Sequence, residues 1–290
     1  MKKLSVVFPT HNRLAWLKES VESCLCSDVD LEMLILDNGS SDGTTEYLMD
    51  LGESDHRVRP YFEPDNVRGR YRFLAEVAEG ELVNLFSDDD RQLAGGLKAK
   101  LDLFDLNPDL GLVFSPVRII DANGLDHGID GMGRVSPVDR ASGALQLDPI
   151  MICDYVPTPT AIMKRESFKD LFYLLDEKTL PLCDWALWME AAHRGIDAGF
   201  IARPTIQYRS HDTSDTKSYI RSKRYIDDHL AMYRHWSERG FQPSQAQLRE
   251  IQRFMMNVVI MCEGDVLPAL QELTSYYKLP ASTLPFVSPV

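Results

Sequence analysis

The chain has 290 residues, 44% of them hydrophobic and 26% charged, ordinary proportions for a folded protein with no low-complexity tract to prevent a packed core. Its 31 basic and 44 acidic residues leave a net charge of -13, which repels polyanions and argues against broad nucleic-acid binding. Five cysteines without a CxxC pair make neither a disulfide framework nor a zinc site, and no run approaches the ~18 apolar residues of a membrane span, so a cytoplasmic protein without leader or anchor is expected.

Short apolar, β-branched runs alternate with helical patterns through the first half, the mark of a parallel sheet built by helical crossovers. Leu4–Phe8, Leu31–Leu36 and Leu82–Phe86 predict buried strands. Leu14, Leu17, Val21 and Leu25 recur at helical spacing, and further helices are predicted over Thr44–Leu51 and Leu97–Leu106, the latter stopped by Asn107-Pro108. A strand follows at Gly111–Ser115. The Gly-, Asp- and Pro-rich stretch Asp121–Ser142 predicts a long excursion, a candidate lid or acceptor wall. Next come a strand at Thr160–Lys164, a helix over Asp184–Arg194 ended by Gly195, and a strand over Ala198–Tyr208 broken at Pro204. Beyond Thr216 the stripes Ile226/Leu230/Tyr233 and Leu248/Ile251/Met255 predict long helices. The expected organisation is a domain over 1–214 and a helical C-terminal subdomain over 215–290.

In an open α/β sheet, ligands bind beyond the carboxyl ends of the strands. Three predicted strands end in polar runs there: Pro9-Thr10-His11-Asn12-Arg13, then Asp37-Asn38-Gly39-Ser40-Ser41-Asp42-Gly43-Thr44, then Ser87-Asp88-Asp89-Asp90. Three adjacent carboxylates repel one another unless solvent or a cation offsets them. A hard divalent cation is the natural offset, since Mg²⁺ and Mn²⁺ take one or two carboxylates together with substrate phosphates and water. A solvated acidic turn before the next helix is the plain alternative.

The order PTxNR, DNGSSDGT, AxGE followed by an apolar strand, SDDD and then YRSH, from Leu4 to His211, resembles the family 2 glycosyltransferases. The resemblance implies a GT-A fold, which is a Rossmann-like, mostly parallel mixed sheet flanked by helices, here with a helical C-terminal extension. It implies inverting transfer from a nucleotide-diphosphate sugar, chiefly a UDP-sugar, to a saccharide or lipid-linked acceptor, with Mn²⁺ or Mg²⁺. Pro9, Thr10, Asn12, Arg13, Asp37 and Asn38 would then bind the donor, with Asp37 on the base edge and Asp88 on the ribose. Asp89 or Asp90 would meet the metal; Asp90 and His211 are taken as its ligands and Asp89 as a donor contact.

Where the family carries an Arg-Asn pair, the chain reads Asn66-Val67-Arg68-Gly69-Arg70-Tyr71-Arg72, and register with Ala78-Glu79-Gly80-Glu81 favours Arg70 or Arg72 as the donor-binding arginine. A solvated loop explains these arginines equally well. Inversion requires a base for the acceptor hydroxyl, and Asp184 is the candidate, although Cys183 stands where the family has a first acidic residue and Asp184 is equally suited to cap its helix. Trp185 and Trp188 are either an acceptor platform or core. The segment 217–240 carries a basic excess that a solvated face explains, with a peripheral contact at the inner face of the membrane as the alternative. Two competing functions remain: a catalytically silent nucleotide-sugar binding or scaffold domain, and a sugar-phosphate nucleotidylyltransferase, which lacks its glycine-rich Lys/Arg loop here.

Overall fold

Every side chain of the second predicted strand is buried, as expected for a strand covered on both faces of a parallel sheet. The computed structural model describes residues 3–66, 71–129, 147–175, 182–220, 222 and 224–277. The first strands and helices alternate: β1 (Leu4–Thr10), α1 (Leu14–Leu25), β2 (Leu31–Asn38), α2 (Thr44–Ser54), β3 (Val58–Glu63), α3 (Tyr71–Val77), β4 (Leu82–Leu85), β5 (Arg91–Gln92) and α4 (Gly96–Leu106). Then come β6 (Leu112–Phe114), β7 (Val117–Ile120), β8 (Asp126–Ile129), α5 (Leu147–Ile152), β9 (Ile162–Lys164), α6 (Arg165–Phe168), α7 (Cys183–His193), β10 (Ala198–Phe200) and β11 (Ile206–Arg209). The last four helices are α8 (Asp215–Ile220), α9 (Arg224–Glu238), α10 (Gln245–Met261) and α11 (Val266–Tyr276).

The main sheet has seven strands in the order β10-β6-β9-β4-β1-β2-β3, parallel except for β9, which runs antiparallel to both neighbours. The chain therefore reverses its direction of sheet growth at β1, which lies between β2 and β4, and the carboxyl ends at such a switch point are where open α/β sheets bind ligands. A second sheet, β5-β11-β7-β8, stands beside that edge. The strand expected over Ala198–Tyr208 is two strands, one in each sheet, because Pro204 cannot continue a hydrogen-bonded ladder. The strand at β3 had no counterpart in the predicted elements: it is the sheet edge, where Pro60 is tolerated and the alternation of burial is weak. Of the excursion from Asp121, the β7–β8 hairpin is described, and 130–146 lie outside the described residues.

Alternation along β1 separates two apolar layers. Val7 joins Leu34, Leu36, Val83 and Leu85 beneath α3, α7 and the C-terminal helices, while Val6 and Phe8 join Met33 and Ile35 beneath α1, α2 and α4. Burying each such aliphatic or aromatic side chain contributes about 1.5–3 kcal/mol. The helices after Asp215 close no separate core: Leu230, Tyr233, Leu248, Met255 and Leu273 share one cluster with Trp185, Trp188 and the sheet. No described helix is long and apolar enough to cross a membrane.

The segment Ala78-Glu79-Gly80-Glu81 proves to be a structural clamp. Gly80 N donates to Ser5 Oγ at 2.8 Å, and a Cβ at Gly80 would fall 2.7 Å from Ser5 N. Glu79 N donates to the buried Glu32, which also accepts from Ser5 Oγ at 2.7 Å and pairs with Arg59 at 3.0 Å.

Candidate active site

The turns after β1 and β2 are tied to one another. Asn12, with φ 51°, takes the left-handed conformation that asparagine tolerates, so its N–H reaches Ser40 Oγ at 2.9 Å and its Oδ1 accepts from Ser41 N at 2.7 Å. His11 Nδ1 lies 2.8 Å from Asn38 O. Gly39 has φ +70°, and a Cβ there would come within 2.6 Å of Pro64 O, so the run after Asp37 needs glycine. Asp37 is buried; its Oδ1 accepts from Ser40 N at 3.1 Å and its Oδ2 from Thr45 Oγ1. Any base edge that it holds must use the remaining lone pairs of oxygens already committed to this loop. Pro9 and Thr10 end β1, and the buried Thr10 hydroxyl lies near Asp88 without a well-formed hydrogen bond.

At the end of β4, the three carboxylates take three different roles. Arg13 Nη1 donates to Asp88 Oδ1 and Asp89 Oδ2, both at 2.9 Å, bridging the first two. Burial and then the Asp89 charge push Asp88 up to about 6 against the pull of Arg13. Asp89 Oδ2 also lies 3.0 Å from His211 Nε2, whose other ring nitrogen meets Thr213 Oγ1 at 3.0 Å. Asp90 turns inward, with Oδ1 accepting from Arg209 N at 2.8 Å and Oδ2 buried without a partner. Its burial and the neighbouring Asp89 push its pKa well above the ordinary carboxylate range. The choice of Asp90 as the carboxylate paired with His211 does not agree with this placement: side chains two apart share a face only in extended backbone, and the turn between β4 and β5 sends Asp89 to His211 instead.

Asp89 and His211 are positioned by Trp16, which no motif includes, and by Arg209, which lies in the YRSH motif without a role read from it. The buried Arg209 donates from Nε to Asp89 O at 2.8 Å, from Nη1 to Ala122 O at 3.1 Å and from Nη2 to Glu19 at 2.5 Å. Its guanidinium carbon lies 5.5 Å from the Trp16 ring centroid, and Trp16 packs on His211 at 4.4 Å between centroids. Trp16 is on the polar side of α1 by pattern, so helical periodicity reads it as a surface residue. Only the arrival of β11, the neighbour of β5, gives it a partner.

The other wall comes from β9 and α7. Because β9 runs antiparallel to β4, the residues before Ile162 lie beyond the carboxyl end of β4, on the side of Asp88. There Thr158 Oγ1 donates to Asp184 Oδ2 at 3.1 Å. Asp184 does not cap α7: the N-cap is Leu182, in the left-handed region, and no side chain caps it. Among the described residues the Asp184 Oδ1 accepts from Trp185 N, at 2.8 Å. Trp185 and Trp188 are buried core residues, not a platform. Arg72 lies on the exposed face of α3 with an ion pair to Glu76 at 2.8 Å, and Arg70 lies outside the described residues. In 217–240, Lys217 pairs with Asp212, Arg224 with Asp228 and Arg239 with the buried Glu190, so much of the basic excess is neutralised within the fold; Arg221 and Lys223 lie outside the described residues.

A seven-stranded mixed sheet flanked by helices, with an aspartate run after one central strand, is a GT-A-like fold. Residues 5–172 match the model of glycosyl transferase family 2, and the chain belongs to that family. It is 32% identical over 138 residues to the GalNAc(5)-diNAcBac-PP-undecaprenol beta-1,3-glucosyltransferase of Campylobacter jejuni, covering 46% of this chain and 44% of that one. The matches span about half the length of the curated relatives at the head of the comparison. Its fold is similar to S. aureus TarS bound to UDP-GlcNAc, with TM-score 0.68, 15% identity and coverage of 97% of this chain and 82% of that one. It is also similar to the mannosyltransferase PcManGT from Pyrobaculum calidifontis with GDP-Man and Mn2+, with TM-score 0.60, 16% identity and coverage of 95% and 74%.

Proposed function

We propose that the chain is an inverting, metal-dependent glycosyltransferase that moves a sugar from a nucleoside diphosphate donor, in the first instance a UDP-sugar, to a hydroxyl of a saccharide or lipid-linked acceptor. The observation that carries this is the Asp89–His211 pair at 3.0 Å in the run that follows β4, with Thr158, on the segment that leads into the neighbouring strand β9, bonded to Asp184 at 3.1 Å. A carboxylate and an imidazole suit Mn²⁺ or Mg²⁺ completed by diphosphate oxygens and water. Bound there by Asp89 and His211, the cation would neutralise the charge that develops on the departing diphosphate.

The chain's own groups supply the rest. In this reading Asp88 meets the ribose and the turns at Asn12 and Asp37 meet the base, with Arg13 beside them bridging Asp88 and Asp89. Asp184 takes the proton of the acceptor hydroxyl as that oxygen attacks the anomeric carbon from the face opposite the diphosphate, giving inversion. The names of the relatives support a nucleotide-sugar donor, and the name of the Campylobacter enzyme supports a lipid-linked acceptor, met at a membrane surface by a chain that has no described spanning helix.

The test is a panel of nucleoside diphosphate sugars incubated with the full chain, with Mn²⁺ or EDTA. Release of nucleoside diphosphate that EDTA abolishes is the expected result. Release of pyrophosphate would identify a nucleotidylyltransferase, and donor binding without turnover would identify a silent binding domain.

A further inference from the structure

Two polar side chains are sealed inside the layer that α4 covers. Asn84 lies in β4, on the face of Leu82 and Phe86, and Lys100 lies on α4 beside Leu97 and Leu101; each is fully buried. Burying an amide or an ammonium is unfavourable unless its donors are used. Both residues direct their donors at one short segment. Asn84 Nδ2 donates to Pro159 O at 3.1 Å and to Ala161 O at 2.8 Å, and Lys100 Nζ donates to Thr160 O at 2.9 Å. The two carbonyls fix the orientation of the amide, whose Oδ1 faces Gln92 Nε2 at 3.4 Å.

That segment is the 3₁₀ turn Thr158–Thr160, between α5 and β9. Thr160 N and Oγ1 donate to Pro157 O at 2.9 and 2.8 Å, Ala161 N donates to Thr158 O at 3.0 Å, and Ser115 N donates to Thr160 Oγ1 at 3.2 Å. Every carbonyl from Pro157 to Ala161 therefore has a donor, the last three from the side chains of Asn84 and Lys100. With Pro157 and Pro159 fixing their own φ angles, the turn has little freedom left.

Thr158 stands at the start of this turn, and its Oγ1 donates to Asp184 Oδ2 at 3.1 Å while Asp184 Oδ1 accepts from Trp185 N at 2.8 Å. The torsion that rotates a carboxylate about its own bond is broad and soft, so an aspartate held at one oxygen turns freely and one held at both does not. The strand that carries Asn84 runs directly into Asp88 and Asp89. One side chain thus ties the aspartate run to the turn that bonds Asp184.

We propose that Asn84 and Lys100 are positioning residues for Asp184: by clamping the carbonyls of the Thr158–Thr160 turn they hold the Thr158 hydroxyl on Asp184 Oδ2 and so fix the plane of that carboxylate. The inference rests on Asp184 being the base of the proposed transfer. A base acts only within hydrogen-bond reach of the proton that it takes, with its lone pair aimed at it, and a carboxylate free to rotate spends less of its time so aimed.

The experiment compares the full chain as wild type, Lys100→Met, Asn84→Leu and Thr158→Val. Methionine fills the space of Lys100 without a buried charge, so this variant keeps its fold even where Asn84→Leu, which strips the donors from two carbonyls, does not. The first readout is the NMR spectrum of ¹³C-labelled aspartate carboxyls, in which the Asp184 resonance is the one missing from Asp184→Asn. Thr158→Val should displace it, and Lys100→Met should displace it in the same direction. A resonance that stays at its wild-type position in either variant overturns the proposal. The second readout is nucleoside diphosphate release from the donor panel. Lys100→Met should lower kcat about tenfold to a hundredfold, with KM for the donor within about twofold of wild type and no further loss when Thr158→Val is added. An unchanged kcat, a loss confined to the donor KM, or losses that multiply in the double variant overturn it. If no donor is turned over while the Asp184 resonance moves as stated, it is the glycosyl-transfer proposal that fails and the clamp on Asp184 that stands.

Discussion

Asp184→Asn is the sharpest test of the mechanism, because the substitution preserves the local geometry and removes only the ability to take a proton. The amide oxygen still accepts from Trp185 N, and the amide nitrogen can donate to Thr158 Oγ1, which accepts as readily as it donates, so both contacts survive. Since Leu182 and not Asp184 is the N-cap, no cap is lost. Loss of the carboxylate's interaction with the helix N-terminus costs about 0.3–1 kcal/mol. The net change should stay within about 1 kcal/mol, which for a chain of this size moves Tm by roughly 2–4 °C. Turnover should fall by about 10² to 10⁴, equivalent to roughly 2.7–5.5 kcal/mol of barrier. Donor affinity should be unchanged, because the Asp88–Asp89–His211 side of the site is untouched. Melting temperature, donor binding by calorimetry and nucleoside diphosphate release are measured on the one variant. A protein that melts normally, binds donor and transfers at a near wild-type rate refutes the assignment of Asp184 as base.

Removing the Asp89–His211 pair should remove the dependence of UDP binding on metal: at a hundredfold excess over Kd, UDP with Mn²⁺ should stabilise wild type by about 2.7 kcal/mol in thermal shift, and this gain should vanish in EDTA and in Asp89→Ala. Equal stabilisation in all three conditions would place the diphosphate elsewhere. Lys100 is fully buried with Nζ on Thr160 O at 2.9 Å, and burial lowers its pKa to about 7. Between pH 7 and the ordinary lysine value near ~10.4, the unfolded chain binds the extra proton, so wild-type stability should rise with pH by up to about 1.4 kcal/mol per unit relative to Lys100→Met; below pH 7 the difference should be flat. A difference independent of pH across that window, read by denaturant unfolding, would show that Lys100 keeps its proton in the fold. Gly80→Ala should destabilise by roughly 1–3 kcal/mol through the clash with Ser5 N, without lowering turnover per folded molecule. A turnover loss at unchanged stability would make the clamp part of the site.

The sheet was legible because its strands are buried on both faces: the runs Leu4–Phe8, Leu31–Leu36 and Leu82–Phe86 are apolar at every position or nearly so, and each ends in the polar residues that the carboxyl edge requires. The edge strand Val58–Glu63 was not, since a half-exposed strand interrupted by Pro60 has neither a continuous apolar run nor clean alternation. The glycines of the turns after Asp37 were readable as turn chemistry, but the role of Gly80 was not, because the atom that excludes a side chain there is 75 residues away in sequence. The same limit governs the site. The chain itself determined that three aspartates follow β4, that a histidine follows β11 and that Asp184 begins a helix, because those are local patterns of residue type. Which aspartate meets His211, why Trp16 and Arg209 support that pair, and that Thr158 reaches Asp184 were decided only by tertiary structure. Each is a meeting of side chains from separate strands and helices, whose directions are set by a turn and by sheet order, and no spacing along the chain encodes those.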